Sequence, residues 1–136
     1  MGLFGGLFGS SDKNTTTNGL PKDLTTFLKQ VDGLYMASYS LKSTRDIARF
    51  LTPAYRHKLT TVICGINARY FGDEKYRRTT WSLVSEEPDK YVVNKDVKFD
   101  NVKVAGKLAI QVASDYKETW TVIKGSNYLV DSIKAA

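Results

Sequence analysis

The spacing of the apolar residues changes once along this chain, at Gly72, and that change fixes the fold class. Before it, large apolar side chains recur every three or four residues, the period of a helix with one buried face. After it they alternate with polar residues, the period of a strand with one face on a core and one in water. Helices come first and strands follow, so the chain reads as α+β, with helices covering one face of a sheet.

Three helices are predicted. Leu24, Phe27, Leu28, Val31 and Tyr35 mark the first, from about Pro21 to Ser40, with Asp23 in its first turn. Gly33 weakens it by about 1 kcal/mol relative to alanine. Ser43 followed by Asp46 resembles a capping box and opens a short second helix, Thr44 to Leu51. Thr52 and Pro53 are a cap and first position for a third. Tyr55, Leu59, Val62, Ile63, Ile66 and Tyr70 line one face of it, and Gly72 is suited to ending it in the left-handed conformation.

Beyond Gly72, Trp81 and Leu83 alternate with Thr80 and Ser82, and Val93, Val97 and Phe99 with Asn94, Asp96 and Lys98. Leu108, Ile110 and Val112 form a further set, followed by Tyr116, Glu118, Trp120 and Val122. Lys124-Gly125-Ser126-Asn127 turns into a last strand from Tyr128 to Ile133, and hairpins are expected at Glu86 to Asp89 and near Ala105-Gly106. The expectation is three N-terminal helices packed on a curved antiparallel sheet of about four strands.

Residues 1–19 differ from the rest. Five of the ten glycines lie there, followed by the polar run Ser10 to Asn18, and this stretch reads as a flexible arm before a single domain at 20–136. Within it Gly2-Leu3-Phe4-Gly5 is followed at once by Gly6-Leu7-Phe8-Gly9. In a helix the repeat would set Leu3 over Leu7 and Phe4 over Phe8. Glycine makes such a helix unstable alone, so a surface would have to hold it. The arm therefore reads as a docking element for a protein groove or a lipid surface, against the plainer readings of a disordered tail or one that folds back on its own domain. Gly6 stands where a myristoylation signal needs Ser or Thr, so that match fails.

The order of elements resembles the nuclear transport factor two-like superfamily, a cone made of a bent sheet wrapped around a long helix (a cystatin-like cone). The resemblance rests on Leu51-Thr52-Pro53-Ala54-Tyr55 at the start of a helix, and on Glu118-Thr119-Trp120-Thr121-Val122 followed by Tyr128-Leu129-Val130-Asp131-Ser132-Ile133. It covers roughly Leu20 to Ile133. Within the superfamily the ending and the glycine-rich arm are most similar to the carboxy-terminal domain of the mitochondrial import-motor anchor and its bacterial relatives, although Tyr128 stands where tryptophan is common. The resemblance implies a conical cavity between long helix and sheet. Isomerases, dehydratases, scaffolds and carriers share that cone, so the fold alone does not choose among them.

Little in the chain points to catalysis. Enzymes of this cone place an acid, or an acid with histidine, in the cavity. The one histidine, His57, is flanked by Arg56 and Lys58 and lies off the apolar stripe, where neighbouring cations oppose its protonation. Glu118 shares a face with Tyr116 and Trp120, so it is the acid expected to point inward. There it would serve as a general acid or base, or as a ligand anchor or structural partner of Arg69, Arg77 or Arg78, against the plainer reading of an acid at the cavity rim or on the surface. The single cysteine, Cys64, rules out an internal disulfide and a cysteine zinc cage, and reads as a small core residue. No phosphate loop, serine elbow or metal-ligand spacing occurs, so no cofactor or metal is expected.

The formal charge of +6 favours anionic partners, and Lys75, Arg77 and Arg78 form the tightest basic group, a candidate anionic-surface contact. Specific nucleic-acid recognition is not expected, because Tyr70 and Phe71 beside that group read as core contacts. The expected function is a non-catalytic binding or scaffold domain that docks a protein partner or membrane-proximal assembly, with Leu3, Phe4, Leu7, Phe8, Tyr116, Glu118 and Trp120 as contact residues. The alternatives are an isomerase- or dehydratase-type enzyme or carrier with an apolar ligand near Glu118, and a structural component that self-assembles into a homo-oligomer through its sheet. With no cationic segment ahead of the first apolar residues and no disulfide framework, a cytoplasmic location is expected, with peripheral contact to an anionic membrane as its extension.

Overall fold

The computed structural model describes residues 15–65, 69, 71–102, 110–111 and 114–136. In chain order these form β1 (Thr15–Asn18), α1 (Lys22–Leu41), α2 (Pro53–Cys64), β2 (Arg77–Glu87), β3 (Lys90–Phe99), β4 (Asn101–Val102), β5 (Ile110–Gln111), β6 (Tyr116–Ile123) and β7 (Leu129–Ala135). The order in the main sheet is β1-β2-β3-β6-β7, and β4 and β5 form a separate two-stranded ladder.

Two features correct the expected architecture. There are two helices rather than three, and five strands in a mixed sheet rather than about four in an antiparallel one. Thr44 to Leu51 is a turn ending in a 3-10 segment, Ala48–Phe50. The capping box does not close, because the Asp46 carboxylate accepts from Arg45 Nε at 3.2 Å. Ser43 Oγ accepts instead from the backbone N–H of Arg45, also at 3.2 Å. The segment is confined between Lys42, held left-handed at φ 54°, and Leu51, which bridges to Val130. Eight residues pinned at both ends do not repay the cost of nucleating an α-helix. Ile47 and Leu51 still reach the core, both essentially buried.

The additional strand comes from the polar run before Gly19. Thr15 to Asn18 pairs in parallel with Thr79 to Ser82. Three consecutive β-branched threonines suit an edge strand, and Gly19, at φ 76°, then turns the chain toward α1. The ordered body therefore reaches into the stretch read as an arm; residues 1–14, which hold its Leu-Phe repeats, lie outside the described residues.

The remaining elements follow the sequence closely. Thr52 Oγ1 accepts from the N–H of Tyr55 at 3.4 Å, with Pro53 at the first helical position. The same hydroxyl donates to Asp131 at 2.8 Å, and Thr52 N–H donates to Val130 O at 3.0 Å, fixing the start of α2 against β7. α2 ends at Cys64, capped by Gly65, earlier than expected; Ile66 and Tyr70 lie outside the described residues. Gly72 does take the left-handed conformation, at φ 75°, but in the connection to β2. Val62 is 44% exposed and Cys64 is also exposed, which corrects the placing of both on the buried face. Tyr55, Leu59 and Ile63 alone define that face.

β2 and β3 form a long hairpin closed by Pro88 and Asp89, and β6 and β7 a second across the expected turn at Lys124 to Asn127. The two carry bulges that leave Val84 and Asp131 without a paired residue opposite. Each bulge bends its strand. The expected hairpin near Ala105-Gly106, and most of the expected strand from Leu108 to Val112, lie outside the described residues. β3 pairs directly with β6 in the main sheet.

The core lies between α1 and the inward face of the sheet. Leu24, Leu28, Val31, Tyr35 and Tyr39 of α1 meet Trp81, Val93, Trp120 and Val122. Trp81 and Trp120 cross edge to face, their centroids 5.0 Å apart, and Tyr35 packs edge-on against Trp120 at 5.5 Å. Such pairs add about 0.5–1.5 kcal/mol each beyond the area they bury.

Candidate functional site

Six polar side chains, Asp32, Tyr35, Arg69, Lys95, Tyr116 and Glu118, meet at this aromatic core. Glu118, on β6, is 2% exposed and both its oxygens are engaged. Oε2 accepts from Tyr35 Oη at 3.0 Å and pairs with Arg69 Nη1 at 2.9 Å. Oε1 accepts from Trp120 Nε1 at 3.2 Å and lies 3.6 Å from Lys95 Nζ. Lys95, on β3, is 0% exposed. Its ammonium donates to Asp32 Oδ1 at 2.5 Å and to Tyr116 Oη at 3.2 Å. Tyr35 closes the cycle by accepting from Arg69 at 2.8 Å.

Two carboxylates face two cations, so the cluster is neutral. Four aromatic rings also surround the ammonium, with Tyr116, Tyr35, Trp81 and Trp120 centroids 5.2, 5.7, 5.8 and 5.8 Å away. Each presents a negative face to the cation. Among the described residues no buried side-chain nitrogen or oxygen is left without a hydrogen-bond partner. The satisfaction of every member is what makes a buried polar network tolerable at all.

Burial alone would pull the Lys95 ammonium down, but Asp32, Tyr116 and Glu118 outweigh it and hold it above its ordinary value. Burial also pushes the Asp32 carboxyl up, against the pull of Lys95. The phenols of Tyr35 and Tyr116 are raised for the same first reason, desolvation, as are those of Tyr55 and Tyr128 outside the cluster.

These shifts act together in alkali. Above the ordinary tyrosine value of 10.0 the unfolded chain sheds phenolic protons that the folded chain keeps. The unfolded chain likewise loses the Lys95 proton above 10.5, before the folded chain does. The native state then binds more protons than the unfolded one, and stability must fall with rising pH. Melting temperatures are expected to decline steeply once pH passes about 10, with the phenolates of Tyr35, Tyr55, Tyr116 and Tyr128 appearing only as the chain unfolds. Phenolate absorbance from all eight tyrosines in the still-folded protein would contradict this.

The sequence placed Glu118, Tyr116 and Trp120 on one face and named Arg69 among the partners of Glu118; the structure brings all four together. It did not find Lys95 or Asp32. A signal for Lys95 was present, because it occupies the inward position between Val93 and Val97, where a lysine has to find a buried partner. Asp32 lies four residues after Leu28 and three before Tyr35, at the margin of the apolar stripe of α1.

The basic group does not converge. Arg77 faces inward and donates to the Phe71 and Gly72 carbonyls at 3.2 and 3.4 Å. Arg78 faces the other side and pairs with Asp100 at 3.0 Å, while Lys75 is exposed on the turn before β2. Alternation along β2 separates the two arginines. His57 is exposed, as expected, and Asp131 is an exposed partner of Thr52. Among the described residues no cluster of His, Cys, Asp or Glu could hold a metal ion, and no helix is long and apolar enough to cross a membrane.

Outside the core, a groove of about 950 Å³ runs along α1. Gly33, Leu34, Met36 and Ala37 line it from the helix, and Phe71, Thr79 and Trp81 from the sheet side. Asp32 and Arg69 are shared between this groove and the buried network. Thr15 of β1 lines it as well, and Arg45, Asp46 and Arg49 come from the turn after α1. Asp46 is engaged by Arg45 and Asp32 by Lys95. Arg49 lies over the Phe50 ring at 4.6 Å, and neither it nor Arg77 forms an ion pair among the described residues. Family models, curated proteins and solved structures offer no match to this chain.

Proposed function

We propose that this chain is a non-catalytic binding domain whose α1 groove holds an extended apolar segment of a partner protein. One observation carries the reading: Glu118, the acid best placed for chemistry, has both oxygens committed to four protein groups, while an open groove lies beside it. An acid or base that must exchange a proton with a substrate needs an accessible lone pair or proton. The core behind the groove is filled by Tyr35, Tyr39, Phe71, Trp81 and Trp120, which supports a binding role over an enzyme or carrier with its ligand against Glu118.

The groove has the size of a recognition site, with an apolar strip of Leu34, Met36, Ala37, Phe71 and Trp81 bordered by charged side chains that include Lys29, Arg49, Glu74 and Arg77. Arg49 and Arg77, which form no ion pair among the described residues, favour a segment with acidic residues flanking an apolar centre. A two-helix, five-strand domain with α1 laid across a bulged sheet is in keeping with the nuclear transport factor two-like resemblance, which we retain as part of the proposal.

Selection from a displayed library of random peptides tests it. Enriched peptides are expected to carry Leu, Met or aromatic residues beside Asp or Glu. Ala37, exposed on the groove side of α1, is the place to block them. Ala37→Trp is expected to weaken their binding at least about tenfold, the loss of roughly 1.4 kcal/mol, with little change in melting temperature. Peptides that bind Ala37→Trp as tightly as the parent chain would refute the groove as the site.

A further inference from the structure

Resting on that reading of the groove, we infer that the chain's own residues Leu3 to Phe8 are its intramolecular occupant, displaced when a partner binds. Three observations meet here. The first is where the described chain begins: Thr15 is itself a groove residue, fixed there by the parallel pairing of β1 with β2.

The second is reach. The α1 side of the groove runs from Lys29 to Ser40, which at 1.5 Å per residue is about 17 Å. Phe8 stands seven residues before Thr15, and an extended chain of that length spans up to about 23 Å; Leu3, twelve residues before, has about 40 Å. The Leu-Phe repeats can therefore lie along the whole groove without leaving their tether.

The third is chemistry. Leu3, Phe4, Leu7 and Phe8 offer four large apolar side chains in six residues, separated by Gly5 and Gly6, which allow close backbone approach. They match the Leu34, Met36 and Trp81 side of the groove. They do not match Arg49 and Arg77, because the only acid before Thr15 is Asp12. The tether gives the arm an effective concentration in the millimolar range, so weak contacts suffice to hold it. A partner with an acid on each flank can engage both arginines, where the arm carries a single acid, and so has a means of replacing it.

The test uses a fluorescent synthetic peptide of residues 1–14 and fluorescence polarisation. The peptide is expected to bind the chain lacking residues 1–14. It is expected to bind the full chain at least about tenfold more weakly, since the tethered copy competes. A full chain carrying Leu3→Ser, Phe4→Ser, Leu7→Ser and Phe8→Ser should regain the binding, and Ala37→Trp in the shortened chain should abolish it. Equal binding to full and shortened chains, or binding indifferent to Ala37→Trp, would overturn the inference. If selected partner peptides bind the shortened chain but the 1–14 peptide does not, the arm is excluded and the groove reading stands. If neither binds, both fail.

Discussion

Lys95→Met is expected to cost the fold about 3–5 kcal/mol, the loss that follows when one member of a buried ion pair is removed. Methionine fills much of the same space, so the penalty is electrostatic rather than one of packing. Asp32 loses its donor outright, and Glu118 keeps Arg69, Tyr35 and Trp120 but loses the second cation. The aromatic cage cannot compensate, because its rings present negative faces to the vacated position. A second substitution should recover part of the loss. Asp32→Leu combined with Lys95→Met removes the stranded charge, and the double variant is expected to be more stable than Lys95→Met alone, a coupling that a double-mutant cycle in urea reads directly. A single variant within about 1 kcal/mol of the parent would mean that the network does not hold the two layers together.

Trp120→Ala is expected to be of similar size, about 3–5 kcal/mol, for a different reason. Trp120 is fully buried and stands where the layers meet, against Trp81 on one side and Tyr35 on the other. Alanine opens a cavity there and removes the indole N–H from Glu118. Domains of this size have total stabilities of about 5–15 kcal/mol, so either variant approaches the edge of folding. Trp120→Phe separates the two contributions. It refills most of the cavity while leaving Glu118 one donor short, and should recover more than half of the loss if packing dominates.

The two long elements of the sequence were legible because one physical signal dominates each. The α1 stripe from Leu24 to Tyr35 and the alternation from Tyr116 to Val122 both survive in the structure with bounds shifted by a residue or two. The Thr52–Pro53 cap was legible for the same reason, as a local hydrogen bond that needs nothing distant. What failed depended on distant partners. β1 is a polar stretch with no apolar alternation, and only the edge of β2 makes it a strand. The segment after Ser43 has helical spacing, yet the bridge from Leu51 to Val130 pulls its end straight. Cys64 and Val62 lie near the end of a helix whose covered face is narrower than its apolar composition suggested.

The interior charges were half legible. Glu118 stood out because its neighbours in alternation are aromatic. Lys95 sits at an equally inward position on β3, but a lysine among Asn94, Asp96 and Lys98 looks like one more solvated side chain. The pairing of Lys95 with Asp32 joins residues 63 apart, and no local pattern announces it. The groove was beyond sequence reasoning altogether, since its walls come from the helix, the sheet and the first strand together.

The account turns on the distinction between the buried Glu118 and the open groove beside it, and the affinity of one selected peptide for two variants measures that distinction directly. Glu118→Gln, compared at a temperature where it remains folded, should bind the peptide within a few-fold of the parent chain, whereas Ala37→Trp should lose at least about tenfold. The opposite pattern, with affinity lost on changing Glu118 and kept on filling the groove at Ala37, would place the binding site inside the core and contradict it.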